Sequence, residues 1–208
     1  MDNVINENQI GRYALPADFK YLNDNFIDEL AHLDFAERIV KIYKFFTGVD
    51  LSDDALEIYD GEFPFGMVSL DEFLGVLDLT YGKTLCYEDY ILDKSSPLNE
   101  IYSLASLFLS AYCELVFSGI IESGDKINFA TNGDDGRLVL ALYLLKKIKA
   151  PINAIMVGVT SNFNGCCKGL FVEQVTDDEI NDITLGVYEE FDYLFDPISA
   201  AAMVCEDI

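Results

Sequence analysis

The stretch 124–148 limits the folds open to this chain more than any other. Residues 126–131 are short and apolar-rich, bounded by Gly124-Asp125 and Asn132-Gly133, which predicts a buried strand. From Arg137 onward Leu138, Leu142, Leu145 and Ile148 recur at helical spacing. Lys146, Lys147 and Lys149 close that helix with the charge its macrodipole favours. Pro151 stops it, and 152–159 reads as a second strand. Strand, glycine turn, helix, strand is a βαβ unit, so the two strands are expected to be parallel. In such sheets ligands sit at the carboxyl ends of strands, where a glycine turn meets a helix N-terminus and free N–H groups can hold an anion. Here that turn is Gly133-Asp134-Asp135-Gly136. Its geometry suits a phosphate, and its two carboxylates oppose one.

The charge balance narrows the partners. Thirteen basic against 37 acidic residues give a formal net charge of −24. That disfavours nucleic acid and anionic membranes, which bind through basic patches. Solubility is the ordinary reason for such an excess. The 51% hydrophobic content promises a sizeable core. Cys86, Cys113, Cys166, Cys167 and Cys205 are odd in number, lie among apolar residues and contain no CxxC; His32 is the only histidine. No zinc site is expected, and buried free thiols in a reducing cytoplasm are. The pair Cys166-Cys167 reads as two small core residues rather than a redox couple. Residues 1–7 lack the basic and apolar regions of a signal peptide. The run 104–121 is the longest apolar one, but Glu114 and Gly119 favour a buried helix over a membrane span.

Along the chain, 1–8 reads as a loose arm, 11–16 as a turn, and 19–30 as a loop with a short helix. Asp34-Phe-Ala-Glu37 has capping-box spacing, followed by Phe35, Ile39, Ile42, Tyr43 and Phe46 on one face, with Gly48 ending the helix. His32, just before that cap, reads as solvated or capping. A second helix is expected at 52–59, one or two strands at 67–79, and a glycine turn running into a short helical stretch at 81–90. A long helix fills 98–118. Beyond the central unit, 160–165 is a polar turn at a strand end. Thr176-Asp-Asp-Glu179 is another capping box, with Ile180, Ile183, Val187, Tyr188 and Phe191 expected as its buried stripe. Asp196-Pro197 starts a terminal helix over 198–204.

This order of segments resembles threonine synthase, a pyridoxal-phosphate enzyme of the tryptophan-synthase-β fold type. Gly11-Arg-Tyr-Ala-Leu-Pro16 is similar to that family's opening Gly-Leu-Tyr-x-Pro. Tyr81-Gly-Lys-Thr-Leu-Cys-Tyr-Glu-Asp-Tyr90 resembles its His-Gly-Pro-Thr-Leu-Ala-Phe-Lys-Asp-Phe. Residues 124–147 are similar to its strand, Gly-Asn-Phe-Gly phosphate loop and helix. Residues 188–202, with Asp196-Pro-Ile-Ser-Ala200, are similar to its closing Tyr-x-x-x-Gly-Tyr and Asp-Pro-His-Thr-Ala. The resemblance covers nearly the whole chain in order, although no single motif is intact.

Three departures fall on one function. The Schiff-base lysine position implied by the resemblance is Glu88, and a carboxylate forms no imine. Lys83 and Lys94 lie several residues away along the chain. The phosphate loop falls at Gly133, Asp134, Asp135 and Gly136, after an inserted Asn132. Two unit charges roughly 5 Å apart repel by about 3 kcal/mol at an effective dielectric near 20, so a phosphate there meets a penalty comparable to its loop affinity. Finally, a whole small αβ lobe is missing between 90 and 95, and with it the serine- and threonine-rich loop that holds the substrate carboxylate.

The expectation is an α/β protein, a reduced tryptophan-synthase-β-like fold with a helical N-terminal region at 1–66 and a parallel-sheet domain at 67–208. It is expected to be a cytoplasmic pseudoenzyme with no catalytic residue, no metal and no retained pyridoxal phosphate. The vestigial site comprises Glu88, the 133–136 loop, Thr84, Thr160, Ser161 and Asn162. One alternative is a binder of a small cationic or zwitterionic ligand, or of a divalent cation, at Glu88, Asp134, Asp135 and the 160–162 turn. Another is a pyridoxal-phosphate carbon–oxygen lyase completed by a second chain. One of Asp134 and Asp135 should cap the helix near Gly136, the other facing solvent or a cation. A homo-oligomer or protein partner should cover the face left by the lobe, with 63–65 and 87–91 as its apolar candidates.

Overall fold

A computed structural model describes residues 8–23, 25–51, 57, 59, 65–82, 87–165 and 167–204. The helix expected at 52–59, the 1–7 arm, Thr84, Phe63, Pro64, Cys86, Cys166 and Cys205 lie wholly or mostly outside these residues. The chain forms two compact units: Lys20–Asp125, and Met1–Phe19 joined with Lys126–Ile208. This division falls elsewhere than the expected one at 66/67. Residues 67–125 pack with the N-terminal helices, and 8–19 pack with the sheet.

The sheet unit is built on the βαβ motif. Strands β1 (Gln9–Ile10) and β2 (Tyr13–Ala14) form a small antiparallel hairpin, which the sequence patterning did not separate from a turn. Strand β5 (Ile127–Asn132), helix α4 (Gly136–Lys147) and strand β6 (Ile152–Val159) follow, with β5 and β6 parallel. A third parallel strand, β7 (Phe171–Gln174), gives the order β5-β6-β7. Helix α4 is buried continuously from Leu138 to Leu145, as a crossover helix apolar on all sides must be. Helix α5 (Asp177–Phe191) starts from the expected capping box, Thr176 and Glu179 bonding reciprocally. Helix α6 (Pro197–Met203) starts from Asp196, whose carboxylate accepts from the Ile198 and Ser199 N–H groups. Its Ala200, Ala201 and Ala202 are buried, and a Cβ at Gly158 would lie 1.7 Å from the Ala201 carbonyl oxygen. Only glycine lets α6 approach β6 this closely.

The helical unit holds α1 (Phe26–Ala31), α2 (Phe35–Thr47) and α3 (Pro97–Phe117), with an antiparallel hairpin of β3 (Phe65–Ser69) and β4 (Gly75–Gly82). Asp34 and Glu37 form the expected capping box, and Gly48 at φ 72° ends α2. His32 is exposed at the end of α1. Phe35, Ile39, Tyr59, Tyr90 and Leu107 make one core cluster, against which Met67, Leu77 and Leu79 of the hairpin pack. Tyr90 and Ile91 are therefore buried, so the 87–91 segment is not the exposed apolar surface expected. Arg38 is the polar centre of this unit. Its Nε donates to the Leu30 carbonyl at 3.0 Å, one Nη donates to Ala31, and the other is bonded to Glu114. The guanidinium thus serves the carbonyl end of α1 while pairing with α3. Helix α3 is long and apolar enough to cross a membrane, but 67% of its most apolar window is buried in the fold. Within it Cys113 is a free thiol whose pKa burial pushes up to about 12, against the pull of Arg38. Cys167 is only half-buried.

Candidate functional site

The carboxyl ends of β5 and β6 carry most of the candidate residues. Asn132 pairs in register with Gly158, and the Gly133 N–H donates to the Gly158 carbonyl at 2.8 Å. The chain must leave the strand hard against β6, because a Cβ at Gly133 would sit 2.4 Å from Val159 Cγ1 and 2.5 Å from Val157 Cγ1. At Gly136 a Cβ would meet the Ile10 side chain at 2.8 Å. At both loop glycines a Cβ would therefore collide with this chain's own side chains.

The two aspartates between them do different work. Asp135 caps α4: its Oδ1 accepts from the Arg137 N–H at 2.9 Å. The same carboxylate takes the Arg137 guanidinium in a two-pronged contact, 3.0 Å from Nε and 2.7 Å from Nη2. That guanidinium also lies 5.9 Å from the Tyr13 ring centroid. The expectation of one capping aspartate holds, and Asp135 is the one. Asp134 faces solvent, as expected of the other, yet its carboxylate is engaged from the next loop. Oδ2 accepts from Thr160 Oγ1 at 2.5 Å and Oδ1 from Ser161 Oγ at 3.0 Å. The Thr160 N–H adds a longer contact at 3.4 Å. Its own N–H donates to Asn132 Oδ1 at 2.8 Å. Two hydroxyls at the end of β6 stand within reach and can rotate onto the carboxylate. Partial burial opposes its ionisation, but the hydrogen bonds from Thr160 and Ser161 outweigh this and hold its carboxyl below the usual range.

The loop N–H groups are largely spent. Those of 133, 134, 137 and 138 already donate to Gly158, Asn132, the Asp135 side chain and the Asp135 carbonyl. Asn162 is exposed one residue beyond Ser161. Glu88 belongs to the other unit, exposed on a 3-10 turn at Tyr87–Tyr90. Between that turn and α3 only 91–96 intervene, so no lobe stands there. Among the described residues no group of three His, Cys, Asp or Glu side chains is placed to hold a metal ion. Sequence reasoning named Thr160 and Ser161 but not their bonds to Asp134, which lies 26 and 27 residues away.

A parallel sheet with a glycine turn leading into a buried crossover helix defines an α/β fold of the kind that cradles ligands at its strand ends. Comparison with solved structures makes the fold specific. The chain is similar to the PLP-bound threonine synthase from Brucella melitensis, with a TM-score of 0.72 and 11% identity over 94% of this chain and 79% of that one. It is similar also to threonine synthase from Escherichia coli, with a TM-score of 0.71 and 13% identity over 96% and 80% of the two chains. The chain has a threonine-synthase-like fold. No protein-family model matches the sequence, and no curated protein matches it.

Proposed function

We propose that this protein is a cytoplasmic pseudoenzyme, a threonine-synthase-like fold kept for binding or protein interaction without pyridoxal-phosphate chemistry. The observation that carries the reading is the α4 N-terminus, where the chain's own carboxylates take the place an anion would need. Asp135 caps the helix and neutralises Arg137, the one cation of the turn, while Asp134 takes the Thr160 and Ser161 hydroxyls. The residues present do not fit the cofactor's phosphate: it would have to displace two ionised groups and meet their repulsion, about 3 kcal/mol per charge pair at roughly 5 Å. Glu88, at the position where the resemblance implies the imine-forming lysine, supports the same reading. The cation-binding alternative at Glu88, Asp134 and Asp135 would have to break these internal contacts.

The test is covalent trapping. Incubation with pyridoxal phosphate followed by borohydride should leave no pyridoxyl group on the 81–93 peptide by mass spectrometry. Stoichiometric label on Lys83, or on Lys94 in the adjoining peptide, would overturn the reading.

A further inference from the structure

From 169 to 208 the chain contains no lysine, arginine or histidine, while acidic residues recur throughout. The same segment exposes large apolar side chains. Leu185 is 59% and Tyr188 51% exposed on α5, and Leu194 and Ile198 are 69% and 58% exposed just beyond it. Helix α5 turns Ile180 and Val187 inward, with Ile183 and Phe191 half-buried. Tyr188, expected in the buried stripe, is exposed instead: one residue past Val187, it is rotated about 100° away. Leu185 and Tyr188, three apart, are neighbours on the outer face. Asp178, Asp182 and Glu189 fall at spacings of four and three around Leu185, so an acidic row borders the apolar pair. No basic side chain of α5 offsets that row.

We infer that the outer face of α5 is a docking surface for a cationic amphipathic segment of another protein, its apolar residues seated on Leu185 and Tyr188 and its lysines or arginines against Asp178, Asp182 and Glu189. Charge complementarity selects this occupant. A second copy would bring the same acidic row to the contact and a net charge of −24 to the pair, and like-charge juxtaposition opposes docking. An anionic membrane is repelled for the same reason. An amphipathic helix read through anchors three and four apart meets both features at once. The inference does not depend on whether the chain binds pyridoxal phosphate, so trapping of the cofactor and failure of this docking are separate outcomes.

The test uses the full chain and a fluorescent synthetic helix of lysine and leucine, with a lysine–serine peptide of equal charge as control, followed by anisotropy. The lysine–leucine peptide should bind about tenfold or more tightly than the control, as burying two large side chains implies. L185S/Y188S should erase that preference, and D182N/E189Q should weaken binding and flatten its salt dependence. Equal binding of both peptides, or an unchanged preference in L185S/Y188S, would overturn the inference. So would sedimentation showing self-association of the parent that L185S/Y188S abolishes, since the occupant would then be a second copy.

Discussion

An arginine meets a carboxylate in each unit, and the two pairs are built oppositely. Arg38 and Glu114 are 76 residues apart in sequence, nearly fully buried, and tie three helices together. Arg137 and Asp135 are two residues apart, partly exposed, and close one turn on itself. The first pair is architecture: a desolvated guanidinium whose three acceptors are all supplied by the fold. The second is local charge cancellation at a helix end, where an arginine would otherwise be available to an external anion. The difference teaches that these two arginines are committed internally at different scales, one joining helices and the other closing a single turn.

Removing partners should separate the two roles. Glu114→Ala strands a buried guanidinium and should cost about 3–5 kcal/mol in urea unfolding, whereas R38M/E114L should recover much of that loss. If the double variant is as unstable as the single, the pair does more than neutralise charge. Asp135→Ala should cost about 0.5–2 kcal/mol, the range for an N-cap, and Asp135→Asn less because it keeps the capping oxygen. A loss as large as that of Glu114→Ala would erase the contrast between the pairs.

The smallest effect belongs to Asp134, and pH reveals it. Its folded-state carboxyl titrates below the ordinary value, so its contribution is fully present above that value and is lost as pH falls through the folded one. Asp134→Asn should lower the thermal midpoint near neutrality by less than Asp135→Ala does, because its bonds lie in solvent, and the gap to the parent should close on acidification. A gap that stays constant with pH would mean the Thr160 and Ser161 contacts do not depend on the charge.

Local chemistry in this sequence proved more readable than distant contact. The β6 bounds, the boxes at Asp34 and Thr176 and the proline start of α6 depend on neighbours within four residues. Strand β7 was missed because Phe171 to Gln174 is short and mostly exposed, leaving no apolar alternation to see. Ile10 packs on Gly136 and the Gly11 N–H bonds to Asn164, joining 8–19 to the sheet unit in a way no linear scan can register. In the candidate site, glycines and aspartates marked the turn, but what Asp134 bonds to was set by the parallel register of β5 and β6.

Filling of the α4 turn by the chain's own carboxylates is tested most directly by nuclear magnetic resonance of the backbone amides. Titrating the parent with inorganic phosphate at constant ionic strength should leave the amides of 133–137, Thr160 and Ser161 without saturable shifts. Saturable shifts confined to those amides would mean that phosphate enters the turn despite Asp134 and Asp135, and would contradict the account.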